Sequence, residues 1–256
     1  MKLIFILFIV AWSNIVYATD AVSSSKVISV TADLWCPYNC DPASNAPGIV
    51  IEILKDIFEP RGYNIKYSLN EWTKAIKLTR EGDYTALPAT YKSDAPDLLF
   101  PKDPIVTSTA NFYALKDNAW HFNGVDSLKR IKNKILLIEG YSYGEFIDDI
   151  IAKNPDGFQR TKGVVALTDN INAVLGGNND VLIADHNVLK YNLFLMNQVG
   201  RIEAVSKLKP EGIYIAFSNK INNAEVLLKI FEDGFKKLKE EGKLNDMLFK
   251  YGIIVE

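Results

Sequence analysis

From Lys26 to Thr90 the sequence changes its hydrophobic period four times, and that rhythm restricts the fold more than any single residue does. "KVISVTA" (Lys26 to Ala32) alternates and is rich in β-branched residues, the period-two pattern of a strand. After Pro47-Gly48 the apolar positions Val50, Ile53, Leu54, Ile57 and Phe58 recur at three and four, which predicts an amphipathic helix over Gly48 to Pro60. Arg61-Gly62 ends it and "YNIKYSL" reads as the next strand. A second helix, "EWTKAIKLTREG", stops at Gly82, and "YTALPAT" follows as a buried strand. The order β-α-β-α-β implies an α/β fold with a largely parallel sheet and right-handed crossovers. In such sheets the loops at the carboxyl ends of the strands form the ligand crevice.

A second α/β unit begins near Asp126. "SLKRIKNKILLIEG" gives a helical turn and a strand, and "YSYGEFIDDIIAKNP" a helix whose start carries Tyr141, Ser142 and Tyr143. "TDNINAVLGGN", "DVLIAD" and "NVLKYNLFLMNQ" continue as helix, strand, helix. "GIYIAFSNK" returns a strand, and Asn222 to Tyr251 reads as helical with Leu228, Phe231, Phe235 and Leu238 on one face. There is no internal repeat and no low-complexity segment.

The amino terminus has one charge, Lys2, an apolar run from Leu3 to Trp12, and Val16-Tyr17-Ala18, whose small residues suit a signal-peptidase site. The apolar run falls short of the ~20 residues that span a bilayer, so residues 1–18 are expected to be a cleaved signal peptide and the mature chain to be periplasmic. Removing Lys2 takes the formal charge from -2 to -3, and no clustered basic surface suggests nucleic acid.

Both cysteines, Cys36 and Cys40, lie in "LWCPYNCDP". In an oxidising compartment they are most simply a disulfide. The C-x3-C spacing and the helix-interrupting Pro37, Pro42 and Pro47 argue against a catalytic redox pair. With only His121 and His186 elsewhere, neither a metal nor another cofactor is expected. The chain also has no H-E-x-x-H and no phosphate loop.

Taken in order, several segments resemble the periplasmic solute-binding proteins of the polar amino acid type, the extracellular family 3 that feeds ABC importers. They are "VISVTADLWCPY", "GIVIEILKDIFEPRGYNIKY", the W-x-x-A-I-x-L-x-x-E-G helix from Trp72 to Gly82, "LLFPKDPIV", "EGYSYGEF", "NNDVLIADHNVLKY", "KPEGIYIAFSNK" and the ending from Phe235 to Gly252. The resemblance implies a type II periplasmic-binding-protein fold: two α/β lobes joined by two hinge strands, closing on a ligand by hinge motion. Lobe 1 would comprise residues 19–115 and 214–256 and lobe 2 residues 116–213, with crossings around Tyr113 to Lys116 and Ile213 to Phe217. The implied partners are a small-molecule solute and a membrane permease, and the implied state is a monomer.

The resemblance also implies a site. The family's ammonium-binding aspartate matches Asp185, which can equally cap the following helix. Its carboxylate-clamping arginine is missing: the position falls on Ser93 or Asp94, and neither replaces a five-donor fork. A carboxylate would need another cation, such as Lys74 or Lys92, both of which also suit plain surface charge. Trp35 and Tyr38 beside the cysteines, Trp72, Tyr91, Tyr141 and Tyr143 are candidates for an aromatic cage around a flat or cationic ligand, and Thr90 is a further candidate ligand contact. Trp72 also suits core packing. Ser142 and the amides near it offer an anion site at a helix start.

These residues point to an exported receptor for a small polar or aromatic solute, without enzymatic activity. The alternatives are a dehydratase-like enzyme on a cyclic carboxylic acid, with Glu139 and Asp185 as the available acid–base groups, and a sensor or scavenger that works without a permease.

Overall fold

The structure is a computed structural model that describes residues 26–177, 181–206 and 208–253. The expected signal peptide, residues 1–18, lies outside the described residues.

Two five-stranded sheets form the molecule. The first contains β1 (Lys26–Ala32), β2 (Tyr63–Leu69), β3 (Ala86–Thr90), β4 (Val106–Ser108) and β10 (Glu211–Phe217), in the order β2-β1-β3-β10-β4. β1 runs parallel to β2 in unbroken register from Lys26 opposite Tyr63 to Ala32 opposite Leu69, and parallel to β3. β10 comes back antiparallel between β3 and β4. The second sheet contains β5 (Ala110–Leu115), β6 (Ile135–Ile138), β7 (Phe158–Thr161), β8 (Val181–Asp185) and β9 (Ile202–Ala204), in the order β7-β6-β8-β5-β9. This is the two-lobed α/β architecture that the strand order implies.

Helices α1 (Ile49–Phe58) and α2 (Trp72–Glu81) connect β1, β2 and β3 as the periodicity requires. α1 buries Val50, Ile53, Leu54, Ile57 and Phe58, and Gly82 ends α2 in the left-handed conformation that lacks a Cβ penalty. In the second sheet α3 (Glu145–Lys153), α4 (Ala166–Leu175) and α5 (His186–Leu195) connect the strands. The chain closes on α6 (Ala224–Glu240), which packs against α1 through Gly234, where a Cβ would stand 2.6 Å from an Ile57 methyl. Among the described residues, no helix is long and apolar enough to cross a membrane.

Four boundaries differ from the expectation. β5 lies wholly in the second sheet, so the first crossing between sheets falls at Thr109 rather than near 115–116. The return also falls earlier, because all of β10 belongs to the first sheet. The last helical stretch is two helices, α6 and α7 (Lys243–Lys250), because Gly242 takes a left-handed turn between them; α6 buries Leu227, Phe231, Phe235 and Leu238, while Leu228 is half-buried. Tyr141, Ser142 and Tyr143 precede α3 in a loop, since the helix begins only at Glu145 after Gly144 at φ 87°.

Candidate functional site

Four strands deliver polar and aromatic side chains to one place at their carboxyl ends. Asp33, Trp35 and Tyr38 follow β1, and Tyr91 and Asp94 follow β3. From the second lobe, Tyr141 and Ser142 follow β6 and Asp185 ends β8.

Cys36 and Cys40 are joined in a disulfide, and the Cys36–Pro37 peptide is cis. The loop is also held by hydrogen bonds. Trp35 N–H donates to Asn39 O at 2.9 Å, Asn39 Nδ2 to Asp33 O at 2.8 Å, and the first amides of α1, on Ile49 and Val50, to Pro37 O and Tyr38 O at 2.9 Å each. A bridge between residues this close in sequence removes little denatured-state entropy. The variant carrying Cys36→Ser and Cys40→Ser is therefore expected to lose about 2 kcal/mol of stability or less. Its solute affinity should fall at least fivefold, about 1 kcal/mol, because Trp35 and Tyr38 lose their fixed attitude. Calorimetric titration and thermal melting of the variant measure both, and full affinity in the variant would contradict this role.

The rings form one connected wall. Trp35 lies 4.8 Å from Tyr38, 6.0 Å from Tyr91 and 6.4 Å from Tyr141, and Trp72 lies 6.0 Å from Tyr141. Most of these contacts are edge-on, the arrangement favoured by the ring quadrupole. Tyr141 crosses from the second lobe to the first-lobe tryptophans. Tyr143 sits deeper, with its hydroxyl accepting the Ile138 N–H at 2.7 Å within the second-lobe core. Trp72 belongs to a first-lobe core cluster and also lines the cleft, so both readings of it apply.

Three carboxyls are built into this wall. Asp185 caps α5, accepting from the Asn187 and Val188 amides at 3.0 and 3.1 Å. It also accepts from Tyr91 Oη at 3.0 Å and Tyr38 Oη at 3.3 Å, both across the cleft. Capping and cleft-facing roles therefore coincide in one side chain. Asp94 accepts from Tyr91 N–H, Thr90 Oγ1 and the Ser142 N–H of the opposite lobe at 3.0, 3.0 and 2.9 Å, with Trp72 Nε1 at 3.4 Å. Asp33 accepts from Tyr141 Oη on Oδ2, and its own backbone amide is a further donor.

Burial raises the pKa of all three. It carries Asp33 up to about 7, partly offset by the Tyr141 hydrogen bond, and Asp94 up to about 6, against the donors just named. Asp185 is raised for the same reason. Burial, and then the neighbouring carboxyls, push Tyr38, Tyr91 and Tyr141 up, so these phenols stay protonated donors.

Several sequence candidates lie elsewhere. Ser142 is not at a helix start: its hydroxyl donates to Asp148 Oδ2 at 2.5 Å and lies 2.8 Å from the Ser93 hydroxyl, and Asp94 and Asp148 accept the amides of Ser142 and Tyr143. The suggested anion site is thus already filled by the protein's own carboxylates. Lys92 lies over the rings of Tyr214 and Phe100, and Lys74 is exposed on α2. Glu139 pairs with Lys162 at 3.3 Å outside the cleft. His121 is exposed and His186 faces Tyr113 at 3.2 Å. Among the described residues, no group of three metal-binding side chains comes together.

Sequence reasoning missed Asp33 as a site residue. It occupies the same place at the end of β1 that Asp185, matched through the resemblance, occupies at the end of β8, and the crevice rule for strand carboxyl ends points to that place.

The two inner spaces beside this wall hold only about 10 Å³ each; one is lined by Asp33 and Asp94 and the other by Asp185. A larger cavity of about 500 Å³ adjoins them, sharing Tyr91, Ala110 and Tyr143 and continuing to Phe146 and Glu211. The lobes are closed, with tyrosine hydroxyls standing in the acceptor places of the carboxyls.

Neither a protein-family model nor a curated protein matches the chain by sequence. Solved structures match over nearly its whole length. An arginine-binding protein, the P235GK mutant of ArgBP from T. maritima, is 16% identical with a TM-score of 0.72, covering 91% of this chain and 97% of that one. A chain from the structural study of glutathione import via GshT and the cystine ABC importer TcyBC of Streptococcus mutans is 17% identical, TM-score 0.73, covering 89% and 95%. A histidine kinase sensor domain with similarity to periplasmic binding proteins is 18% identical, TM-score 0.72, covering 88% and 95%. The chain has the two-lobed type II periplasmic-binding-protein fold.

Proposed function

We propose that the protein is an exported, monomeric receptor that captures a small polar or aromatic solute between its lobes and presents it to an ABC-type permease. The observation that carries this reading is the set of hydrogen bonds across the cleft. Tyr38 and Tyr91 reach Asp185, Tyr141 reaches Asp33, and Ser142 reaches Asp94. Groups that meet only when the lobes close are the groups a trapped ligand engages. Wall rings from both lobes supply stacking area, and the 500 Å³ cavity is of the size small-molecule sites take.

Binding is favoured over acid–base catalysis. Of the two carboxyls that the sequence offers for proton transfer, Glu139 pairs with Lys162 and lines neither inner space, and Asp185 accepts from four donors. The similarity to proteins described by arginine binding and cystine import supports a transport role, and the sensor-domain neighbour marks the alternative of signalling.

A thermal-shift screen of residues 19–256 against amino acids, amines, aromatic acids and small peptides tests the reading. A ligand bound only by the folded state raises the Tm by mass action, by an amount that grows with its concentration. One solute class should shift the Tm and be recovered unchanged. Chemical conversion of the solute would move the assignment to an enzyme.

A further inference from the structure

Resting on the reading of the cleft as a solute site, we propose that the solute is an organic amine without a carboxylate, its ammonium held by Asp33 and its carbon body against Trp35, Tyr91 and Tyr141. The argument starts from the charge of the wall. Asp33 and Asp94 line one inner space and Asp185 the next, and the two spaces share Trp35, Tyr91, Tyr141 and Ser142. The groups acting most strongly on the three carboxyls are tyrosine, tryptophan, serine and threonine side chains and backbone amides, together with the coulombic effect of Asp94 on Asp33. No lysine or arginine is among them. The two lysines that sequence offered as carboxylate partners are turned elsewhere: Lys92 onto Tyr214 and Phe100, Lys74 to solvent.

An amino acid brings one carboxylate and one ammonium. Its carboxylate would meet Asp94 where a cation is needed, and like charges in an enclosed site repel strongly. Its amine finds a carboxyl with acceptor capacity to spare. Asp33 is 95% buried in the cleft wall, at 5% exposure, and accepts from one side-chain donor, Tyr141, on Oδ2, with its own backbone amide as a further donor. A carboxylate can accept about four hydrogen bonds, and an ammonium supplies charge-assisted ones. Tyr141 arrives from the opposite lobe, so lobe opening frees the whole carboxylate. The rings around it supply cation-π surface for the same charge.

This arrangement couples binding to protons. Asp33, held up to about 7, and Asp94, up to about 6, carry protons in the empty cleft at low pH, whereas an ammonium needs both charged. The groups facing Asp33 are Asp94, Tyr141, Tyr67 and Tyr143, and the tyrosines stay neutral through this range. Amine affinity therefore rises as the pH climbs from 5.5 to 8, by about tenfold or more for one proton released from a group near 7.

The test uses matched pairs that differ only in the carboxylate: tyramine and tyrosine, histamine and histidine, 1,5-diaminopentane and lysine. Each is titrated calorimetrically into residues 19–256 at pH 5.5 and pH 8. The expected result is at least one amine that binds at least tenfold more tightly than its amino acid and more tightly at pH 8. In Asp33→Asn that affinity falls at least tenfold and loses its pH dependence, while the Tm without ligand holds within a few degrees. An amino acid that binds as well as its amine overturns the inference but leaves the solute receptor standing. If no member of any pair binds while a neutral or anionic solute does, the inference again fails and the receptor stands. If no solute of any kind binds, both fail.

Discussion

Gly48→Ala is expected to lower stability by about 4 kcal/mol, a larger effect than any other single methyl addition considered on this chain. Gly48 has φ 109° and ψ 147° at the start of α1, a region that residues with a Cβ rarely adopt. A Cβ there would stand 2.4 Å from Tyr38 O and 2.6 Å from Asn39 Cα. Both atoms are backbone of the disulfide loop, so no flexible side chain can give way. The Gly48 amide also donates to Tyr251 Oη, which in turn donates to Glu52, so movement here disturbs the anchor of the carboxyl-terminal segment. For a chain of this size the Tm should fall by roughly 8–16 °C. Gly62→Ala is the control: Gly62 has φ 80° but nothing within 4 Å of its added methyl, so only the backbone strain, about 1 kcal/mol, applies. Equal Tm losses in the two variants would contradict the steric account.

Asp185→Ala should cost about 3 kcal/mol and open the cleft. The alanine forfeits the α5 cap, worth about 1 kcal/mol, and leaves the buried hydroxyls of Tyr38 and Tyr91 without their acceptor, at about 1–3 kcal/mol each. Relief of the buried carboxyl's desolvation, which raises its pKa, offsets part of that sum. Asp185→Asn keeps the cap acceptor and the shape, so its loss should be about 1 kcal/mol. Thermal melts of both variants measure the difference. A drop as large for asparagine as for alanine would show that charge, not hydrogen-bond acceptance, holds the two lobes at this point.

The lobes were legible because their signals are periodic. The strands "KVISVTA" and "YNIKYSL" and helix α1 form where alternation and three-four spacing place them, since one buried face dictates the pattern. The sequence misplaces the crossing between sheets because β5, "ANFYAL", is apolar but for Asn111 and pairs with β8 and β9, partners whose choice leaves no local mark. The break before α7 rests on Gly242, one glycine in a charged helical run. At the site, Asp185 is reached through the family resemblance and the aromatic loop residues through their position after strands. Asp33 was passed over because a short polar residue before "LWCPYNC" reads as loop composition. Beyond its place at the end of β1, what marks it is a buried carboxyl whose side-chain donor arrives from the opposite lobe, which the tertiary structure supplies.

The central claim is that a solute binds between the lobes against the ring wall, and intrinsic fluorescence tests it most directly. Of the three tryptophans from residue 19 onward, Trp35 and Trp72 line the cleft, whereas Trp120 packs on Phe112 and Phe122 in the second lobe. Saturating solute should change the emission of the unmodified protein, and the change should vanish in the variant carrying Trp35→Phe and Trp72→Phe. An undiminished change in that variant, with binding retained at full affinity, would place the solute away from this cleft and contradict the account.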